Sequence, residues 1–137
     1  MRAMVDTSTL WKKYFEEEGS DRFVSVLEKA TAVIVSPVTW LEFNSIVHRR
    51  LAEKTIKAED VEWIKKEARE DFNCFHVVMW NENMEKKGVE LIVKYQLRSL
   101  DSIQLASAVC SESDVFVTSD KKLSTIARKE SKEVLFI

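Results

Sequence analysis

The segment MVDTSTLW, residues 4–11, joins a short apolar run to an acid and then to a polar helix start. The segment VFVTSDKKL, residues 115–123, repeats this order, with Asp120 in the place of Asp6. Apolar runs of this kind fit strands that are buried on both faces of a sheet. Each acid therefore follows a predicted strand, and taken alone each is equally well explained as a helix N-cap.

Strand-like and helix-like segments alternate along the whole chain, with no internal repeat and no linker. We predict five strands, at residues 4–5, 32–35, 76–80, 114–118 and 134–137. Between them we predict helices, with starts near Thr7, Ser20, Ser36-Pro37, 58, 83, Ser99 and 121. Strands separated by helices predict an α/β fold in one domain over residues 1–137. Its three layers are a central parallel sheet of about five short strands and helices on both faces.

The composition restricts the class of protein. Apolar residues make up 45% and charged residues 32% of the 137 residues, which is typical of a globular chain. No apolar run reaches the roughly 18 residues that span a bilayer, and no signal peptide is recognisable, so no membrane role is expected. Cys74 and Cys110 are too few for a disulfide framework or a structural zinc site, and a cytoplasmic location is expected.

Two further acids stand in unusual positions. Glu42 lies at the edge of the apolar stripe of the helix after Pro37, where an unpaired carboxylate is costly. Pairing with Arg49 or Arg50 is the alternative explanation. Asp101 falls in the first turn of its helix, where the helix dipole alone accounts for an acid.

The four acids Asp6, Glu42, Asp101 and Asp120 are far apart in sequence, so only folding can bring them together. Ligands of open parallel sheets bind at the carboxyl ends of the strands, where these acids are expected. Clustered carboxylates repel each other, and a hard cation such as Mg²⁺ or Mn²⁺ relieves that repulsion. No glycine-rich phosphate loop competes with this interpretation, because the chain has two glycines.

Four stretches together resemble the PIN-domain ribonucleases, and most closely the VapC-type toxins. They are, in chain order, VDTSTLWKKYFEEEGS, SPVTWLEFNSIVHRR, YQLRSLDSIQLASA and VFVTSDKKLSTIA. The resemblance implies that the first strand is central in the sheet. It also implies a Mg²⁺-dependent endoribonuclease whose catalytic and metal-binding residues are Asp6, Glu42, Asp101 and Asp120.

The resemblance also suggests roles for neighbouring residues. Polar positions near the acids correspond to Ser8, Thr118 and Ser119, which would orient the carboxylates. Gln104 departs from the family pattern, since many relatives have His there. The basic residues that we expect to contact RNA phosphates are Arg98, Lys12, Lys13, Arg49 and Lys121. The net charge of −2 becomes +2 when the four acids are set aside, so the remainder need not repel RNA.

The partners implied by this family are an RNA substrate, a small antitoxin encoded nearby and a second copy of the chain in a homodimer. Ordinary core packing is the favoured role of Trp11 and Phe15, and the alternative is that they contribute to an antitoxin groove. Two other functions stay open. One is a housekeeping RNA-processing PIN nuclease without an antitoxin, and the other is a non-catalytic PIN-fold module that binds RNA or protein.

Overall fold

A computed structural model describes residues 1–137. Five strands form one sheet: β1 (Arg2–Val5), β2 (Ala32–Val35), β3 (His76–Val77), β4 (Val115–Thr118) and β5 (Val134–Phe136). All pairs are parallel, and the strand order is β3-β2-β1-β4-β5. The predicted α/β fold with a five-stranded parallel sheet is confirmed, and β1 is its central strand.

Seven α-helices connect and cover the strands. They are α1 (Thr7–Leu10), α2 (Ser20–Lys29), α3 (Thr39–Ala52), α4 (Ala58–Cys74), α5 (Glu82–Tyr95), α6 (Ser99–Cys110) and α7 (Lys121–Lys129). The first helix is a single turn that continues as a 3-10 turn over Trp11–Lys13. No helix has the length and apolar composition needed to cross a membrane.

The sheet is covered on both faces, and the alternation of side chains along β1 explains how. Ala3 and Val5 lie in one apolar cluster, which also contains Trp11 and Phe43. Met4 points to the opposite face and lies in a second cluster with residues of α5, α6 and α7. Because both faces of β1 are buried, polar groups of this strand can reach a cleft only at its end. Asp6 occupies that position.

Several predicted boundaries differ from the structure by one or two residues, for example at β1, which begins at Arg2 and not at Met4. Two further differences have a physical reason. The strand expected over 76–80 pairs only at His76 and Val77, because β3 is an edge strand and its partner β2 ends at Val35. The helix expected to open at Ser36-Pro37 begins at Thr39 instead. The Ser36 hydroxyl lies 2.9 Å from that of Thr39, which closes the turn before the helix.

Trp11 packs in the core, which is the role favoured from the sequence, and it does not contribute to a partner groove. Only 1% of Trp11 is exposed, and its ring packs against Phe15 and Phe43 in the core. Arg50 covers this aromatic cluster, with its guanidinium carbon 4.8 Å from the ring centre of Trp11. Phe15 is half-buried and does line a surface cleft between α2 and α4, together with Val24 and Trp63.

A buried carboxylate joins α5 to the end of α7. The side chain of Glu130 is 6% exposed and accepts hydrogen bonds from Lys87 at 2.5 Å, Lys94 at 3.1 Å and Tyr95 at 2.8 Å. These donors, above all Lys87, lower the pKa of Glu130 to about 2. The contacts therefore require the ionised carboxylate.

We predict that Glu130→Gln lowers the free energy of unfolding at neutral pH by about 1–3 kcal/mol, as expected for hydrogen bonds to a charged group. Because the folded-state pKa of Glu130 is depressed, its contribution is complete above the unfolded-state value of 4.5 and is lost as the pH falls toward 2. Chemical denaturation of both proteins between neutral pH and pH 3 tests this. A difference between them that does not shrink on acidification would contradict it.

Candidate active site

Asp6 is the most buried acid of the candidate site, with 2% of its surface exposed. It follows β1 directly and is the N-cap of α1, accepting a hydrogen bond of 2.9 Å from the backbone N–H of Thr9. The Ser8 hydroxyl donates to the same carboxylate oxygen at 2.9 Å. Asp6 therefore satisfies the cap explanation and still carries a second carboxylate oxygen that is free for another partner.

That second oxygen accepts a hydrogen bond from the hydroxyl of Thr118, the last residue of β4. The Thr118 oxygen in turn accepts the backbone N–H of Asp120 at 3.0 Å. One buried hydroxyl thus links the ends of two adjacent strands and fixes the backbone of Asp120. Ser119, also expected near the site, makes a different contact, since its hydroxyl lies 3.0 Å from that of Thr9.

Burial without a basic partner governs the ionisation of Asp6. Loss of hydration raises the pKa of Asp6 above its ordinary value, and the hydrogen bonds from Thr118, Thr9 and Ser8 offset part of that shift. No Lys, Arg or His forms an ion pair with any of the four predicted acids. The ionised site therefore carries negative charge that no protein cation neutralises by direct contact.

Asp101 and Asp120 lie close enough to influence each other. Asp120 caps α7 through a 2.9 Å hydrogen bond from the backbone N–H of Leu123, whereas Asp101 is half-buried in the first turn of α6. Burial, and then the negative charge of Asp120, raise the pKa of Asp101. Lys122 and Arg98 lower it in part. This mutual repulsion is the behaviour expected of carboxylates that share a cation.

Glu42 is held by neutral donors and not by the arginines of its own helix. Its Oε1 atom accepts a 2.6 Å hydrogen bond from the Gln104 amide and a 3.1 Å hydrogen bond from the Thr7 hydroxyl. The Gln104 amide also donates to the Thr7 hydroxyl at 2.9 Å. Arg50 binds Glu17 instead, and Arg49 lies beside Glu42 along a surface cleft of about 470 Å³.

Thr118 links Asp6 to the backbone of Asp120, but the four carboxylates do not converge on one point. No group of three or more His, Cys, Asp or Glu side chains is close enough to hold a metal ion. The chemistry of the donors nevertheless suits a hard cation, because all are oxygens and none has a basic counter-ion. Their assignment as metal ligands therefore stays a prediction.

The five basic residues predicted to contact RNA fall into different settings. Lys12 is bound to Glu17 at 3.2 Å and Lys13 is bound to Asp71, so both are already engaged in ion pairs. Arg98 directly precedes α6 and acts on Asp101, and Lys121 is the first residue of α7, next to Asp120. Of these five, Arg98, Lys121 and Arg49 therefore remain without an ion pair.

Two residues of this site were missed at the level of sequence. Thr7 shares its hydroxyl between Glu42 and Gln104, and Lys122 acts on Asp101. Thr7 had a local signal, since it follows Asp6 directly and is a buried polar residue. No feature of the sequence distinguished Lys122 from its neighbour Lys121, which carries the same charge one position earlier.

Comparisons with known proteins bear on the identity of this site. The sequence matches the family model of the PIN domain over residues 3–129. No match was found among curated protein sequences.

Similar solved structures extend over almost the whole chain. A toxin–antitoxin complex from Klebsiella pneumoniae has a TM-score of 0.65 and 19% identity, covering 90% of this chain and 92% of that chain. VapBC2 from Rickettsia felis, bound to a DNA fragment from its promoter, has a TM-score of 0.71 and 12% identity, covering 100% and 99%. FitAcB from Neisseria gonorrhoeae has a TM-score of 0.71 and 14% identity, covering 98% and 96%. At these identities the similarity establishes the fold.

The contact between Gln104 and Glu42 can be tested with two substitutions. Gln104→Glu replaces the amide donor by a second carboxyl, so at neutral pH we expect about 1–3 kcal/mol of lost stability. Next to Glu42 the protonated form of the introduced carboxyl is favoured over its ionised form. The pKa of this carboxyl is therefore raised in the folded state. Its destabilising effect should therefore decrease as the pH falls. Gln104→Leu has no titrating group and should show a deficit that depends little on pH relative to wild type.

Denaturation midpoints at pH 7 and pH 5 distinguish the two variants. A Gln104→Glu protein as stable as wild type at pH 7 would contradict the observed hydrogen bond.

Proposed function

Because the chain belongs to the PIN-domain family, we propose that it is a Mg²⁺-dependent endoribonuclease and the toxin of a VapBC-type toxin–antitoxin pair. The observation that carries the proposal is the buried carboxylate of Asp6 at the end of the central strand, joined through Thr118 to Asp120 and without a basic partner. Burial of a carboxylate without a basic partner costs stability, and unfavourable burial of this kind is typical of functional sites.

In the proposed mechanism Asp6, Asp101 and Asp120 would hold the cation and Glu42 would complete the set. When bound, Mg²⁺ or Mn²⁺ supplies a Lewis acid that polarises a phosphodiester and acidifies water. Thr118 and Gln104 keep the carboxylates in place through neutral hydrogen bonds, which leave their negative charge available. A carboxylate accepts a proton from the attacking water, and in-line displacement leaves a 5′-phosphate and a 3′-hydroxyl.

Two surface features support the proposed protein partners. The cleft between α2 and α4 measures about 460 Å³ and exposes Val24 and Trp63, and an antitoxin segment would bind there. The similar structures from Klebsiella pneumoniae and Rickettsia felis are described as complexes of this kind. On α5, Val89 and Val93 are 56% and 72% exposed, and this apolar face suits a homodimer contact.

We predict that Asp6→Asn abolishes RNA cleavage while the protein stays folded, because the amide keeps the N-cap but removes the negative charge. Purified protein is incubated with labelled RNA in Mg²⁺ or in EDTA, and products are resolved by electrophoresis. The control is Asp21→Asn, which removes an exposed acid from α2 and should cleave like wild type. Equal cleavage by both variants, or cleavage that EDTA does not affect, would overturn the proposal.

Metal binding should depend on pH through the raised pKa values of Asp6 and Asp101. Only the ionised carboxylates bind the cation, so Mn²⁺ affinity should fall on acidification at a higher pH than ordinary aspartates would require. Thr118→Val removes a hydrogen bond that favours the ionised form of Asp6 and should shift this loss to still higher pH. Thr31→Val, at an exposed position, is the control.

Calorimetric titration with Mn²⁺ between about pH 7 and pH 5 measures these affinities. An identical pH profile for the Thr118→Val and Thr31→Val proteins would contradict the role assigned to Thr118.

A further inference from the structure

A cleft of about 580 Å³ lies between the end of α5 and the exposed side of α7. We call it the lysine cleft, and its defining residues are Lys94, Tyr95, Lys121, Lys122, Thr125 and Lys129. No carboxylate lines this cleft, whereas the cleft between α2 and α4 contains acids as well as lysines. The charged residues that line the lysine cleft are therefore all positive.

Most of this positive charge is not compensated within the protein. Lys121, Lys122 and Lys129 are exposed and form no ion pair, whereas Lys94 is bound to Glu130 at 3.1 Å. Lys121 and Lys122 lie in the first turn of α7, where the helix dipole disfavours positive charge. An anionic partner that lies across the free lysines offsets this cost.

One end of the lysine cleft lies next to a predicted catalytic acid in the chain. Asp120 is the N-cap of α7, so Lys121 and Lys122 are the first residues after a predicted catalytic acid. Lys122 is also near enough to Asp101 to interact with its charge. From Lys121 to Lys129 the helix rises about 12 Å at its standard 1.5 Å per residue, so positive charge extends away from the acids.

The aromatic residue of the cleft is not arranged to stack on bases. The Tyr95 hydroxyl donates to Glu130 at 2.8 Å, and the Lys94 ammonium lies 5.2 Å from the centre of its ring. Recognition in this cleft therefore depends on charge. Contacts of this type bind phosphates and carry no sequence information.

We propose that the lysine cleft binds the phosphates of the RNA strand next to the cleaved phosphodiester. The inference rests on the proposed function, because it is the position beside the predicted catalytic acids that favours a polynucleotide over an acidic protein segment. The cleft would hold the strand in register with the acids and contribute affinity that is independent of sequence.

Binding in EDTA, where a Mg²⁺-dependent enzyme cannot cleave, tests the cleft separately from the reaction. A labelled single-stranded RNA is titrated with the full chain at several salt concentrations, and fluorescence anisotropy gives Kd. The variant carries Lys121→Gln, Lys122→Gln and Lys129→Gln. Each phosphate contact contributes about 0.7 to the slope of log K against log salt, so loss of three contacts should reduce the slope by about 2.

The matched control removes the same charge elsewhere, through Lys29→Gln, Lys54→Gln and Lys66→Gln at exposed positions outside the cleft. Its salt slope should equal that of wild type. Equal weakening by both triple variants, no weakening by the cleft variant, or no RNA binding by wild type would each overturn the proposal. Displacement of the RNA by poly-glutamate of equal charge at equal concentration would also overturn it, in favour of an acidic protein partner.

Acetylation of wild-type lysines with and without RNA gives a second measurement that does not depend on the folding of a variant. RNA should protect Lys121, Lys122 and Lys129 and leave Lys29, Lys54 and Lys66 reactive, and the reverse pattern would contradict the assignment. Failure of the proposed function has a different signature. In that case wild-type protein binds RNA through the cleft in EDTA but does not cleave it when Mg²⁺ is added.

Discussion

The carboxylate of Asp6 is the group around which the ends of the central strands are organised. It is almost fully buried, so each of its oxygens needs a hydrogen-bond donor. One oxygen receives the N-terminal N–H of α1, and the other receives the hydroxyl of Thr118 from the neighbouring strand. The Asp6 backbone N–H also donates to Val117 at 3.2 Å, which continues the pairing of β1 with β4 past the strand itself. A single residue therefore caps a helix, extends a sheet and positions Thr118.

The burial of β1 on both faces explains why the polar residues collect at one edge of the sheet. Ala3, Met4 and Val5 are all fully buried, so after Arg2 the strand offers no polar side chain before Asp6. In a parallel sheet the carboxyl ends of neighbouring strands lie at the same edge, and β4 ends there with Thr118. The parallel topology therefore buries the strands themselves. It places the hydroxyl, amide and carboxylate groups at the ends of the strands, where the helices begin.

The sequence was sufficient for the features that depend on local pattern. The alternation of strands and helices predicted the parallel sheet, and the setting of Asp6 and Asp120 predicted acids at strand ends that also cap helices. Partners that come from other elements were not predictable. Lys12 and Lys13 looked like free surface cations, but Lys13 binds Asp71 from α4. From the sequence Trp11 looked exposed, but in the structure it packs against Phe43 of α3. Such pairings depend on how helices pack, which the spacing within one helix does not specify.

The identity of the donors around the acids bears on what the site can do. Thr118, Thr7 and Gln104 are neutral, and they fix Asp6 and Glu42 without cancelling their charge. A lysine or arginine in direct contact would have stabilised the buried carboxylates more strongly, but it would also have competed with any bound cation. The basic residues lie near the acids but form no ion pair with them. Arg98 and Lys122 act on Asp101 from nearby, and further lysines lie along α7. Under the proposed function, the positive charge beside the strand ends would attract the phosphates of RNA, and a bound cation would offset the charge of the acids.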